Sequence, residues 1–129
     1  MELYQFADAY DPMTQLCSFD FPLAQALCIY QLKREIDPWA KFYAQEELKL
    51  MQRYAKTGED GKLLVEDGKI HFESRAQMDE YLQRVQQLRQ MPVTFSAEMP
   101  TLQPDDQQRC RLTPAQIGQL APFIKFGGD

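Results

Sequence analysis

Histidine, cysteine and basic residues near the N-terminus are scarce in this chain, and each scarcity excludes a class of protein. His71 is the one histidine among the 129 residues, so few side chains can exchange protons near neutral pH. The three cysteines cannot all pair, and no C-x₂₋₄-C or H-x₃₋₅-H spacing exists to hold zinc. Their pattern favours free thiols in a reducing compartment. We therefore expect no disulfide framework, no metal site and no cofactor.

Charge and hydropathy exclude further classes. Residues 1–32 contain no Lys or Arg, so a secretory signal would lack its basic segment. The most apolar stretch, residues 19–30, is interrupted by polar residues and proline and falls short of the roughly 20 residues that span a bilayer. The formal charge of −5 argues against nucleic acid or an anionic membrane as the main partner. We expect a soluble protein of the cytoplasm.

Length and composition predict a single domain over residues 1–129. The chain is 44% apolar and 26% charged, which is close to the average of globular proteins. Residues 1–20 are interpreted as an N-terminal arm with a turn at Asp11-Pro12 and a short strand over residues 16–21. A helix is predicted to start at Pro22, because the fixed φ of proline suits a first helical turn.

One long helix is predicted over residues 22–56. Its apolar residues recur every three, four or seven positions, and this stripe crosses Pro38 without losing phase. A proline inside a helix removes one hydrogen bond and bends the helix, so we favour a kinked, continuous helix. The alternative is a break, with Asp37 as the N-cap and Pro38 as the first residue of a new helix. The stripe consists of Ile29, Leu32, Ile36, Trp39, Tyr43, Leu50 and Tyr54.

The predicted helix is too long for the domain that contains it. It would measure about 50 Å at 1.5 Å per residue, whereas a compact domain of this size has a diameter of roughly 36 Å. The overhanging part needs cover from an antiparallel second helix, a second copy of the chain or another protein. We therefore predict an interaction surface formed by Trp39, Tyr43, Leu50 and Tyr54.

The sequence after residue 56 predicts one hairpin and two helices. Asp67-Gly68 favours a two-residue turn, which makes residues 62–72 a hairpin with Val65 opposite Ile70. Ser74 and Gln77 form a capping box for a second helix over residues 74–90. An extended segment over 93–99, as a sheet edge or a clasping arm, is followed by a polar loop and a capped C-terminal helix over 113–121. The expected fold class is α+β and mainly helical, with the long helix paired with the second helix.

No enzyme signature appears in the chain. The adjacent acids Glu46-Glu47 and Asp79-Glu80 diverge by about 100° on a helix, which is typical of a solvated face. Asp105-Asp106 lacks the spacing of a calcium loop. We expect no catalytic residues, although a pocket that gathers His71, a cysteine and several acids would revive the enzyme hypothesis.

The segment after Pro22 resembles a family of short uncharacterised phage and prophage proteins. Tyr54, Gly58 and Gly61 match its turn after a long helix, which precedes an Asp-Gly hairpin. Its closing motif is matched by Leu120, Pro122, Phe123 and Ile124. The likeness covers residues 20–126 and implies a phage or prophage setting, in the host cytoplasm or the virion. It implies no activity.

These observations together predict a non-enzymatic protein-interaction protein. We expect a phage assembly or accessory factor that forms a homo-oligomer or binds a protein partner through the long helix. The alternative is an inhibitor or modulator of a host enzyme, which would act through the acidic N-terminal third.

Overall fold

The chain is organised around one long helix. A computed structural model describes residues 1–127, in which five helices and four two-residue strands occur. The predicted α+β, mainly helical class is confirmed, with a long helix pair and one small antiparallel hairpin. The order is α1 Leu3–Leu16, α2 Leu23–Tyr54, β1 Val65–Glu66, β2 Lys69–Ile70, α3 Arg75–Arg89, β3 Thr101–Leu102, α4 Pro104–Cys110, α5 Pro114–Leu120 and β4 Lys125–Phe126.

Helix α2 runs through Pro38 without a break, which confirms the continuous helix. Its 32 residues correspond to a length of about 48 Å. Pro38 is exposed, while Ile36 and Ala40 on either side of it are buried. Because the proline ring points away from the core, the helix loses one hydrogen bond but keeps its packed face. The helix ends at Tyr54, after which Ala55 is extended.

Helix α1 replaces the predicted N-terminal arm, so that prediction was wrong. Pro12 lies inside the helix, and no strand forms over residues 16–21. A buried face explains the difference, because packing against α2 outweighs the loss of one hydrogen bond at the proline, which costs about 3 kcal/mol. The fully buried residues of this face are Leu3, Phe6, Ala9, Met13 and Leu16.

The hairpin turn and the second helix form as predicted, but the hairpin is shorter than the predicted 62–72, since Leu63 pairs with Thr57 and Phe72 with Ala55. Val65 pairs with Ile70 and Glu66 with Lys69 in an antiparallel register. Asp67 and Gly68 both have positive φ, which is the geometry that a two-residue type I′ turn requires. At the start of α3, the Ser74 hydroxyl accepts a hydrogen bond from the Gln77 N–H at 3.2 Å. This cap fixes where α3 begins.

The C-terminal region contains more regular structure than the sequence predicted. The expected polar loop contains helix α4, whose first turn carries Asp105 and Asp106 at its positive end. Strand β3 pairs in parallel with β4, a pairing that the sequence did not indicate. The predicted C-terminal helix is confirmed as α5, which Thr113 caps through the Gln116 N–H at 3.2 Å.

The segment after α3 is held against the N-terminus, and of the two predicted forms, a sheet edge or a clasping arm, no strand forms over residues 93–99. The Leu3 N–H donates to the Met91 carbonyl at 2.8 Å, and the Val93 N–H donates to the Met1 carbonyl at 2.6 Å. Val93 is buried beneath these bonds. The first and ninety-third residues are therefore neighbours in the fold.

The core lies on one side of α2. Phe6 of α1 is fully buried at its centre, where its ring is 6.5 Å from Trp39, 6.2 Å from Phe95 and 5.0 Å from Phe123, centroid to centroid. Such tilted and edge-on aromatic pairs stabilise a core beyond their buried area. Helices α1, α3 and the C-terminal segments all contribute to this side, which leaves the opposite side of α2 open.

Candidate functional site

The four residues predicted as an interaction surface do not form one. Tyr43 is 8% exposed and Tyr54 is 7% exposed, while Trp39 and Leu50 are half-buried. Side chains that are buried within their own chain cannot be the anchors of a contact with another protein unless the chain opens. The structure therefore corrects this expectation.

The aromatic residues of the apolar stripe on α2 are covered by other helices of the same chain. The Tyr54 hydroxyl donates to Glu80 Oε1 of α3 at 3.0 Å, and Arg89 Nη1 of α3 donates to the Tyr43 hydroxyl at 3.4 Å. Trp39 packs against Phe6 of α1. The sequence left open whether a second helix, a second copy of the chain or another protein covers the stripe. Helices within the chain cover it.

An exposed apolar surface lies on the opposite side of α2, near its start. We call it the outer apolar face and define it as Leu23, Leu27 and Tyr30, which are 86%, 52% and 56% exposed. Their spacing of four and three places them on one helical face. Ile36 follows Leu27 by nine positions, which corresponds to about 180° around the helix. The outer apolar face therefore points away from the core, and no other segment of residues 1–127 covers it.

The same side of α2 is mostly polar further along the helix, where Leu48, at 47% exposure, is the exception. Arg34, Lys41 and Gln45 are exposed there, and the Arg34 guanidinium lies 5.7 Å from the centre of the Tyr30 ring. An arginine over a tyrosine ring is a favourable cation–π contact that also leaves hydrogen-bond donors free. Arg34 thus forms a charged border at the C-terminal end of the outer apolar face.

A second candidate is a cleft of about 520 Å³ between α1, α2 and α3. Charged groups line it, among them Asp8, Lys41, Glu47 and Arg89. Arg89 Nη2 lies 3.9 Å from Asp8 Oδ2, and its Nη1 donates to the Tyr43 hydroxyl. Burial raises the pKa of Tyr43, so this phenol stays protonated at neutral pH. The cleft offers hydrogen-bonding groups, but its arginine already has partners in the protein.

Histidine and the cysteines lie on different parts of the structure. His71 Nε2 is 3.8 Å from Glu66 Oε2 in the hairpin, whereas Cys17 lies near Lys33, and Cys28 Sγ is 3.6 Å from the Glu98 carbonyl oxygen. Burial raises the pKa of the Cys17, Cys28 and Cys110 thiols, which lowers the fraction of reactive thiolate. Within residues 1–127, no three His, Cys, Asp or Glu side chains are grouped so that they could hold a metal ion.

The outer apolar face was missed at the level of sequence. The signal was present, since Leu23, Leu27 and Tyr30 have helical spacing on the side opposite Ile29 and Ile36.

None of the helices in the described part of the chain combines the length and the apolar character that crossing a membrane requires. The chain matches no protein-family model, and comparisons with curated proteins and with solved structures give no match either.

Proposed function

We propose that this chain is a non-enzymatic protein-interaction protein that binds another protein chain through the outer apolar face of α2. The observation that carries the proposal is the exposure of Leu23, Leu27 and Tyr30 on one face of a helix whose other side already supplies the core. The fold does not need these three residues to be apolar, because they contact water in the single chain. A partner that covers them accounts for their chemistry.

Burial of this face would supply a useful binding free energy. Covering an exposed leucine side chain contributes about 1.5–3 kcal/mol before the costs of association are subtracted. Anchors at positions i, i+4 and i+7 are the pattern by which one helix face is recognised by a groove or by another helix. Tyrosine and arginine, both present here as Tyr30 and Arg34, are the residue types enriched at the energetic centres of interfaces.

Within residues 1–127, the separation of His71 from the cysteines supports a binding role. His71 lies beside Glu66 in the hairpin. The three cysteines lie elsewhere in the fold, and burial raises the pKa of each thiol. The setting that we propose is the cytoplasm, where the protein would act as a phage assembly or accessory factor. The resemblance of residues 20–126 to phage and prophage proteins is the support for that setting.

A photo-crosslinking experiment tests the proposed face. A benzophenone amino acid replaces Leu27 in the full chain, which is expressed in the organism that encodes it. The matched control carries the same group at Gln45, which is exposed and points in the same direction about five helical turns along α2. We expect one defined crosslinked species from position 27 and none from position 45.

The identity of the crosslinked species separates the two settings. Crosslinks to virion proteins or to this chain itself support assembly, whereas a crosslink to a host enzyme supports the role of an inhibitor or modulator. Equal crosslinking from positions 27 and 45, or none from position 27, would contradict the proposed face.

A further inference from the structure

We infer that the occupant of the outer apolar face is a second copy of this chain, bound antiparallel about a two-fold axis that passes beside Leu27. This inference rests on the proposed function, because it names the partner of the same face. The structure supports it through the arrangement of charge around the face and through the extent of the face along α2.

A two-fold axis beside Leu27 fixes which residues meet. In an antiparallel helix pair, opposing residues have numbers with a constant sum, here twice 27. Leu27 then meets its own counterpart, Leu23 lies opposite Gln31, and Ala24 lies opposite Tyr30. All of these positions are exposed in the single chain. The contact therefore buries surface that the fold leaves open and displaces nothing from the core.

Charge complementarity selects the antiparallel direction. Asp20 and Arg34 are both exposed. Arg34 follows Tyr30 by about one helical turn, whereas Asp20 lies outside α2, three residues before its first residue, Leu23. In the antiparallel pair the acidic segment before each α2 therefore lies at the end of the face where the other copy carries the Arg34 guanidinium, twice by symmetry. A parallel pair would place like charges together at both ends, which opposes association.

The connection before α2 gives Asp20 a defined position. Asp20 precedes the first helical residue, Leu23, by three positions. The intervening Phe21 ring lies 4.9 Å below the Arg109 guanidinium of α4, so the segment is attached to the rest of the fold. Arg34 is held over Tyr30 at the other end. Both charges thus border the apolar residues that they would flank in the dimer.

The size of the face predicts a dimer that dissociates readily. Residues 23–34 extend over roughly 18 Å of helix, and such a contact buries less than the ~800 Å² per partner of a standard interface. Association is therefore expected at micromolar concentrations, with a dissociation constant on the order of 1–100 μM.

Sedimentation velocity on the full chain measures this equilibrium. We expect the mass to rise from the chain mass of 15.1 kDa towards twice that value as the concentration increases from about 1 to 500 μM, a range that spans the expected constant. Leu27→Asp should raise the dissociation constant by at least about tenfold, because it buries a charge at the axis. The matched variant Gln45→Asp adds the same charge on the same side of α2 and should leave the constant unchanged.

Charge reversal tests the direction of pairing. Asp20→Arg and Arg34→Asp should each raise the dissociation constant about threefold to tenfold, because each places like charges together in the antiparallel pair. The double variant should restore the original constant, since every acid again faces a base of the other copy. Circular dichroism on each variant checks that the helices are intact. A double variant as weak as the singles would overturn the antiparallel arrangement.

The remaining outcomes separate this inference from the proposed function. A chain that stays monomeric at 500 μM, roughly five times the weakest constant expected, overturns the dimer. The proposed function survives that result if position 27 still crosslinks to a different protein, and it fails as well if position 27 gives no crosslink. A dimer that Leu27→Asp does not weaken uses another surface, which also overturns the inference.

Discussion

The first half of α2, residues 23–36, and its second half, residues 37–54, place their apolar residues differently. In the second half, Tyr43 and Tyr54 point inwards and are buried under α3, while the outward side carries Lys41 and Gln45 and a single exposed leucine, Leu48 at 47%. In the first half, the inward side is equally buried, but the outward side is apolar as well. The second half therefore has the ordinary pattern of an amphipathic surface helix.

This difference separates residues that serve the fold from residues that the fold does not require. An inward apolar residue gains its stabilisation when the single chain folds. An outward one, such as Leu23 at 86% exposure, gains almost none until something covers it. This interpretation can be tested by comparing the stability of variants with substitutions on the two sides of the helix or in its two halves.

The largest expected contrast is between Ile36 and Leu27, on opposite sides of the first half. Ile36 is fully buried, so Ile36→Ala should lower the free energy of unfolding by about 2–5 kcal/mol. Leu27→Ala should change it by less than about 0.5 kcal/mol when the protein is dilute and monomeric. Urea denaturation followed by circular dichroism measures both. Similar losses for the two variants would show that Leu27 is part of the core.

The next effect concerns Pro38, which lies where the two halves meet. Pro38→Ala should raise the free energy of unfolding by about 1–3 kcal/mol, because the alanine restores a backbone hydrogen bond inside a continuous helix. Pro22→Ala is the control, since Pro22 is the N-cap residue and interrupts no helical hydrogen bond. Thermal denaturation measures the change. A loss of stability in Pro38→Ala would show that the proline shapes α2 to fit α1.

A smaller effect is expected for the hydrogen bond that joins the second half to α3. Tyr54→Phe removes the hydroxyl that donates to Glu80 at 3.0 Å and should cost about 0.5–1.5 kcal/mol. Tyr30→Phe, on the outer apolar face, should cost less than about 0.5 kcal/mol in the monomer. Both are measured by urea denaturation. Equal costs would contradict the assignment of Tyr54 to the covered side.

The smallest effect is a change in alkaline stability that involves Tyr43. Burial raises the pKa of Tyr43, so the folded state holds the phenol proton more tightly than the unfolded state does. This contribution to stability is complete below about pH 10, the ordinary pKa of tyrosine, and is lost as the pH rises through the higher folded pKa. Tyr43→Phe should make unfolding less sensitive to pH above that point. Denaturation midpoints between neutral and alkaline pH test this.

Local signals predicted α2, the hairpin, α3 and α5, because each is specified by residues close in sequence. The Asp67-Gly68 turn and the Thr113 capping box act within a few residues and form as expected, whereas the Ser74 box forms only in part, since Ser74 caps the Gln77 N–H but Gln77 Oε1 has no partner within residues 1–127. Helix α1 was missed for the opposite reason. Pro12 is a local helix breaker, and only packing of the whole α1 face against α2 overcomes it.

Helix α4 and the candidate site show a second limit of sequence reasoning. Cys110 is the one buried residue of α4, so the helix has almost no apolar pattern to detect. The aromatic stripe of α2 was correctly identified as an apolar face, but whether α3 or a partner covers Tyr43 and Tyr54 depends on tertiary structure. Sequence alone could not distinguish these possibilities, and the exposed apolar residues in the first half of α2 proved to be Leu23, Leu27 and Tyr30.

The bonds between the first residues and the segment after α3 also affect how the chain is made. The Met1 ammonium donates to the Val93 carbonyl across 92 positions of sequence. At about 5–20 residues per second, a ribosome needs roughly 5–18 s to synthesise that stretch. During this time α1 can pack against α2, but the side of Phe6 that Phe95 and Phe123 cover in the fold remains accessible to chaperones or to aggregation. Folding of the nascent chain is therefore completed only after Val93 leaves the exit tunnel.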